Sequence, residues 1–184
     1  MAINTNSNVA DINKCNADDL NEIKSVVNTN ATALDNLTTQ VNDKNIMTIE
    51  LNTSYTLSAT NTSYDITGFV LGSSLGTKLS FASNKITIGS GVTKIKVSFN
   101  AKVLSANTTR TFVYLTKNGT NISQEGAFPI ASAQTITLGY SPRIMTVQQG
   151  DEFWLRCYGA SGAKIVGLDG GTFVDTYLTI EVIE

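Results

Sequence analysis

The sequence predicts a mainly β protein, in which one N-terminal helix precedes an antiparallel β-sandwich or barrel. From residue 46 to the C-terminus, short runs of alternating apolar and polar residues are separated by turns rich in Gly, Asn and Ser, a pattern typical of many short strands. Between Leu20 and Val41 the apolar residues instead recur every three or four positions, which is the helical period. Only 15% of the residues are charged, below the roughly 25% of ordinary globular proteins, and abundant Asn, Thr, Ser and Gly favour turns and strands.

The helix is predicted to begin at Asn16, which is a good capping residue, with Asp18 and Asp19 in the first turn where the helix dipole favours negative charge. The apolar positions form heptads, with Leu20, Val27, Leu34 and Val41 at position a and Ile23, Asn30 and Leu37 at position d. Two positions in seven make a narrower stripe than that of a helix packed on a globular core, and this favours a self-associating coiled coil. The alternative is a single amphipathic helix that lies on its own domain.

Asn30 is the one polar residue in this heptad core. A polar side chain at such a position fixes register and oligomer state at some cost in stability. The pattern resembles the polar layer of trimeric adhesin stalks and phage fibres, and that resemblance implies three amides turned inward around an anion, commonly chloride. Ala31 follows where those families usually have Thr, so an anion-binding Asn30 layer and a water-filled layer that controls register both remain open.

The strands are predicted from period-two alternation between turn signals. They span residues 46–51, 55–59, 64–71, 78–81, 85–88, 93–104, 111–117, 135–140, 153–158 and 172–183. Asn118-Gly119 is the strongest hairpin signal, and no helical period interrupts the strands, which argues against a parallel α/β sheet. In the last run Val174, Leu178, Ile180 and Val182 share one face, so this strand is predicted to lie inside a sheet with that face in the core.

The composition excludes several functional classes. The chain has no histidine, which removes His-dependent triads and His-ligated metals, and no phosphate-binding or dinucleotide-binding motif is present, so we predict no enzymatic activity and no cofactor. A net charge of −2 argues against nucleic-acid binding. There is no signal peptide and no apolar run of about 18 residues, which predicts synthesis in a cytoplasm and no membrane insertion. Cys15 and Cys157 make no disulfide framework.

Residues 1–15 are polar with isolated apolar points at Ile3, Val9 and Ile12. They cannot bury enough surface to fold alone, so they are either a docking peptide or a disordered tail. The predicted division is therefore an anchoring tail at 1–15, a coiled-coil stalk at 16–45 and a head domain at 46–184.

Four segments of the head resemble the globular-head domain of complement component 1q, a TNF-like jelly roll. They are Phe81 with Ile86-Thr-Ile, Gly91 with Lys94-Ile-Lys-Val-Ser-Phe, Val113-Tyr-Leu-Thr-Lys-Asn-Gly-Thr, and Gln148-Gln-Gly-Asp-Glu-Phe-Trp-Leu with the later Thr172-Phe173. The resemblance implies an antiparallel jelly-roll β-sandwich and a homotrimer. The complement partners do not carry over, because the heptad helix stands where that family has a collagen stalk.

The run from Asn16 to Lys24 also resembles the start of phage fibre and baseplate proteins, where a short polar N-terminus precedes a stalk helix. We therefore expect a trimeric bacteriophage fibre on the virion surface. Residues 1–15 would bind a capsid or baseplate protein, and the head would be presented to a host-surface glycan or protein. The contact surface is expected in the head loops at 59–63, 105–110, 122–132 and 159–170. The alternative is a structural capsid decoration protein with no dedicated receptor.

Overall fold

The protein was analysed as a computed structural model that describes residues 17–42, 44–129, 131–169, 171–172 and 174–184. The predicted tail at 1–15 and the predicted cap Asn16 lie outside the described residues, as does the side chain of Val41. The chain divides into a unit that contains the helix and a unit of residues 44–184. We call the second unit the β unit and describe the two units separately.

The predicted helix is present as α1, Ala17–Asn42, with Asp18 and Asp19 in its first turn. Its 26 residues correspond to a length of about 39 Å. Thr29 and Thr32 donate their hydroxyls to the carbonyl oxygens of Ser25 and Asn28, at 2.9 and 3.0 Å. These hydroxyls are thereby satisfied within the helix, although such bonds slightly weaken the ladder.

The β unit contains fourteen strands in its described residues. They are β1 Ile46–Leu51, β2 Tyr55–Thr56, β3 Thr62–Asp65, β4 Phe69–Leu75, β5 Leu79–Ala82, β6 Lys85–Ile88, β7 Lys94–Leu104, β8 Thr111–Lys117, β9 Thr120–Asn121, β10 Glu125–Ala127, β11 Thr135–Thr146, β12 Glu152–Gly159, β13 Lys164–Ile165 and β14 Tyr177–Val182. Every recorded pairing among them is antiparallel.

The strands form two sheets. In the first sheet the order is β4-β1-β14-β7-β11, and β13 continues beside the end of β7 and pairs with β2. In the second sheet the order is β5-β6-β12-β8-β10, with β3 also paired to β12 and β9 to β8. The closing strand β14 lies between β1 and β7, which confirms the prediction that it would lie inside a sheet.

A single apolar core lies within the β unit. Alternate residues of β7 and β12, such as Val97, Phe99 and Leu155, are fully or almost fully buried. The period-two pattern read from the sequence is the burial pattern of β7, in which every second residue from Ile95 to Val103 points into the core; β4 does not follow it, because all its residues after Phe69 are exposed. Burial of this kind is the dominant stabilising contribution to folding.

The predicted strand at 64–71 was wrong, because the structure divides it into β3 and β4, which belong to different sheets. The break lies at Gly68, whose φ of +94° is readily adopted only by glycine. The side-chain oxygen of Asn84 accepts hydrogen bonds from the amides of Gly68 and Phe69 at 2.9 and 3.0 Å. This amide replaces the ladder bonds that the chain gives up as it crosses between sheets.

Candidate functional site

The apolar stripe of α1 is exposed to solvent in the single chain. Its described apolar side chains are between 53% and 63% exposed, namely Leu20, Ile23, Val26, Val27, Leu34 and Leu37. Asn30 is also exposed and lies on the same helix. Val26 was not assigned to the stripe from the sequence, because it falls outside positions a and d. Six large apolar residues on one helix form an apolar surface of the kind that marks an interaction site.

The four segments predicted as contact loops lie only partly in loops, because residues 125–127 form β10 and residues 164–165 form β13. The parts of them that do connect strands lie mainly at one end of the β unit. Strand register places them there: Leu104 pairs with Thr135, Ala127 with Thr111, Phe112 with Tyr158, and Gly159 with Thr62. Each of these pairs lies beside one or two of the loops. We call this the loop end of the β unit. Ile130 and Gly170, within two of these loops, lie outside the described residues.

The chain begins the β unit at the other end. Ile46, the first residue of β1, pairs with Glu181, and Glu181 pairs with Lys96 near the start of β7. β7 has 11 residues, so the two ends are about 35 Å apart. Asn45 holds the beginning of β1 in place, because its buried side-chain oxygen accepts hydrogen bonds from the backbone N–H groups of Thr77 and Lys78 at 2.9 Å each.

A cluster of aromatic rings covers the outer face of the second sheet beside the loop end. Phe112 on β8 is its centre, with ring centroids 6.2 Å from Tyr114, 6.3 Å from Tyr158 and 6.1 Å from Phe128. Phe128 meets Phe112 edge-on, at 86°, which is a favoured aromatic geometry. We call these four residues the Phe112 cluster. Phe128 is 59% exposed and the other three rings are half-buried.

Local backbone features hold Phe128 in place. Its neighbours Ala127 and Pro129 are both buried, so the backbone is anchored on either side of an exposed ring. Gly126 leaves room for the rings, since a Cβ there would lie 2.9 Å from Phe112 and 3.0 Å from Phe128. The cluster therefore depends on a glycine that needs no unusual backbone angle.

Arg110 lies over two rings of the cluster. Its guanidinium carbon is 5.7 Å from the Phe112 centroid and 5.2 Å from the Phe128 centroid, within range of a cation–π interaction. Among the described residues no carboxylate forms an ion pair with Arg110. The exposed Arg110 thus contacts ring faces without a carboxylate beside it in the described part of the chain.

The remaining part of the same outer face is covered by its own side chains. Trp154 is only 5% exposed because Lys85 lies 4.4 Å above its ring and Asp65 accepts its indole N–H at 2.8 Å. Asp65 also accepts Nε of Arg156 at 2.8 Å. Burial alone would raise the pKa of Asp65, but the hydrogen bonds from Trp154 and Arg156 lower it below its usual value.

Two observations concern metal ligands and nucleophiles in the part of the chain that the structure describes. No group of three or more His, Cys, Asp or Glu side chains there could hold a metal ion. Cys157 is fully buried, and this burial raises the pKa of its thiol to about 12, which makes it a poor nucleophile. No described helix is long and apolar enough to cross a membrane.

No protein-family model and no curated protein sequence matches the chain. Among solved structures it is similar to murine APRIL at pH 8.5, with 10% identity and a TM-score of 0.56 over 77% of this chain and 100% of that one. It is also similar to the Eiger TNF from S. frugiperda, with 8% identity and a TM-score of 0.53 over 76% of this chain and 92% of that one. The globular domain of zebrafish complement 1qA has 11% identity and a lower TM-score of 0.49, over 76% and 95%.

At these identities the similarity to APRIL and Eiger shows the fold alone. The β unit has a TNF-like jelly-roll fold, which confirms the predicted fold of the head. The Phe112 cluster was not predicted. Alternation along β12 does place Trp154 and Tyr158 on the face opposite the core, but only the pairing of β8 with β12 brings Tyr158 beside Phe112.

Proposed function

We propose that this protein is a trimeric virion-surface fibre of a bacteriophage, anchored on a capsid or baseplate protein through residues 1–15. The observation that carries the proposal is the exposed apolar stripe of α1. Most of the stability of a helix comes from packing of its apolar face rather than from helix propensity, and heptad side chains such as Leu20, Val27 and Leu34 are buried when copies of the helix associate. The TNF-like jelly roll supports the same number of copies, since the family resemblance of the head implies trimers.

The placement of the loops supports a role in attachment to a host surface. The chain begins the β unit at the end away from the loop end, so anchoring before Lys44 leaves the loops free to contact a partner. Three copies provide avidity, so weak individual sites suffice. The resemblance of residues 16–24 to the start of phage fibres supports the virion assignment, and Asn30 would set the register of the stalk around water or an anion.

Sedimentation equilibrium on the full chain tests the trimer. The expected mass is three times 19.7 kDa, and a monomer of 19.7 kDa at all concentrations would refute the proposal. Leu34→Asp is expected to raise the concentration at which the trimer dissociates, because it places a charge in the heptad core. Asn36→Asp adds the same charge on the polar face of α1 and should leave the mass unchanged. Equal behaviour of the two variants would remove the coiled coil from the proposal.

Deletion of residues 1–15 tests the anchor. The truncated chain should remain a folded trimer but fail to join particles that incorporate the full chain, and normal incorporation would rule out this role. Binding of the isolated trimer to intact host cells then separates an attachment fibre from a structural decoration protein, which would bind only purified particles.

A further inference from the structure

We propose that the Phe112 cluster with Arg110 is a binding site for a saccharide that carries an anionic group. The inference deepens the proposed attachment function and rests on it, because it names the ligand of the presented surface. Two parts of the same sheet face differ in how they are covered. Trp154 is covered by Lys85 and by Asp65, which also pairs with Arg156, whereas the Phe112 cluster beside it exposes the ring of Phe128 to solvent.

The rings supply the apolar half of such a site. The C–H face of a pyranose packs on the electron-rich face of an aromatic ring, and aromatic side chains give large contact area with little loss of conformational freedom. Tyr158 lies opposite Phe112 on the neighbouring strand and Tyr114 lies two residues along β8, with centroids 6.3 and 6.2 Å from Phe112, so the patch presents several rings to one ligand. Phe128 lies at the edge of the patch, and its backbone is held by buried residues on either side. Binding should therefore cost little conformational entropy at this residue.

Polar groups of the cluster are available to a ligand. Within the described residues, neither the phenol hydroxyl of Tyr114 nor that of Tyr158 has a recorded hydrogen-bond partner, so both can bond to sugar hydroxyls. A phenol is protonated at neutral pH and can donate a hydrogen bond, and burial, with a smaller contribution from the nearby Tyr158, raises the pKa of Tyr114 further. A purely apolar partner would leave these hydroxyls unsatisfied, which costs free energy.

Arg110 determines the charge of the ligand. Arg156 on the same face is already paired with Asp65 at 2.8 Å, whereas Arg110 contacts the rings of Phe112 and Phe128 and forms no ion pair with a carboxylate in the described part of the chain. A guanidinium without a carboxylate partner can bind a carboxylate or phosphate through two parallel hydrogen bonds. Strand addition cannot occur at β8 itself, because β10 and β12 already pair with it, so an acidic peptide is tested as a separate probe.

The test is a binding titration of the full chain, followed by NMR, with three matched probes: cellobiose, cellobiouronic acid and a cellobiose phosphate. At least one anionic probe should bind about tenfold more tightly than cellobiose, because hydrogen bonds to a charged group are stronger than those between neutral groups. The carboxylate and phosphate probes distinguish the two anionic sources. Failure of all three to bind, or equal binding of all three, would overturn the proposal.

Variants locate the site. Arg110→Gln should abolish the preference for the anionic probe over cellobiose, whereas Phe128→Ala should weaken the binding of all three probes. Arg143→Gln is the matched control, because Arg143 lies 5.4 Å from the Tyr140 ring on the other sheet; it should change nothing. An unchanged preference in Arg110→Gln, or equal affinity for an acidic peptide without sugar, would contradict the assignment. These readouts are independent of oligomer mass and particle binding, so the two proposals can fail separately.

Discussion

The helix and the β unit use their apolar residues in opposite ways. Leu34 on α1 is 63% exposed, whereas Phe99 on β7 is 2% exposed and stacks on Tyr140 at a centroid distance of 5.3 Å. The β unit buries the alternating apolar residues of strands such as β7 and β12 in a core of its own, although Ile144 on β11 is 65% exposed. The apolar residues of α1 are equally regular in their spacing but are exposed in one chain. We therefore propose that other copies of the helix bury them.

The largest effect that would test this contrast is expected from Phe99→Ala. Removing a buried aromatic ring should cost the β unit about 3–5 kcal/mol of unfolding free energy, from lost burial and the cavity left behind. Urea unfolding followed by the fluorescence of Trp154 measures it, since Trp154 is the only tryptophan and lies in the β unit.

Leu34→Ala is the comparison for that experiment. It should leave the Trp154 transition within about 0.5 kcal/mol, as surface substitutions usually do, and should instead make the helical circular dichroism more dependent on concentration. Similar losses in the Trp154 transition for both variants would mean that the β unit relies on α1 for its own stability.

The contrast also explains how much could be predicted from sequence. Both periods are local properties, so α1 and strands such as β1 and β7 follow from the order of residues alone. The division at Gly68 depends on Asn84, which is brought there by the fold, and the Phe112 cluster depends on the pairing of Phe112 with Tyr158, which lie far apart in the chain. Alternation indicates the face of a residue but not its cross-strand neighbour.

A second, smaller effect concerns the pH dependence of the β unit. Asp151 is buried and accepts hydrogen bonds from Asn118 at 2.7 Å and the amide of Gln148 at 2.9 Å, and it pairs with Lys117 at 2.8 Å. Burial alone would raise the pKa of Asp151, but these hydrogen bonds and the Lys117 charge lower it below its usual value. Because the pKa is lower in the folded state, this stabilisation is present above the unfolded pKa and is lost as the pH falls through the folded pKa.

Asp151→Asn should cost about 1–3 kcal/mol at neutral pH, since a buried acceptor of three donors is removed, and should flatten the loss of stability on acidification. Urea unfolding at pH 7 and below pH 4 measures both quantities. Asp35→Asn makes the same charge change on α1 and should leave the Trp154 transition and its pH dependence unaltered. An acid-induced loss as steep in Asp151→Asn as in the natural chain would show that other carboxylates cause it.

The smallest expected effect concerns Asn30 of α1, which we compare with Asn45 of the β unit. Asn45 of the β unit is buried with its amide oxygen satisfied by two backbone N–H groups of its own chain, whereas Asn30 is exposed in the single chain. If three helices associate, Asn30 enters a core position at some cost in stability, and it specifies register in return. Asn30→Ile should therefore raise the melting temperature of α1 by several degrees and broaden the distribution of oligomer masses.

Circular dichroism and sedimentation measure these two outcomes for Asn30→Ile, and Asn36→Ile on the polar face of α1 is the control, for which neither should rise. A chloride titration distinguishes an anion from water in the Asn30 layer. If chloride stabilises the natural chain but not Asn30→Ile, the layer binds an anion. If chloride has no effect on either chain, the layer holds water. If Asn30→Ile changed neither the melting temperature nor the mass, Asn30 would not lie in a core. The heptad assignment, and with it the burial of the stripe by other copies, would then be wrong.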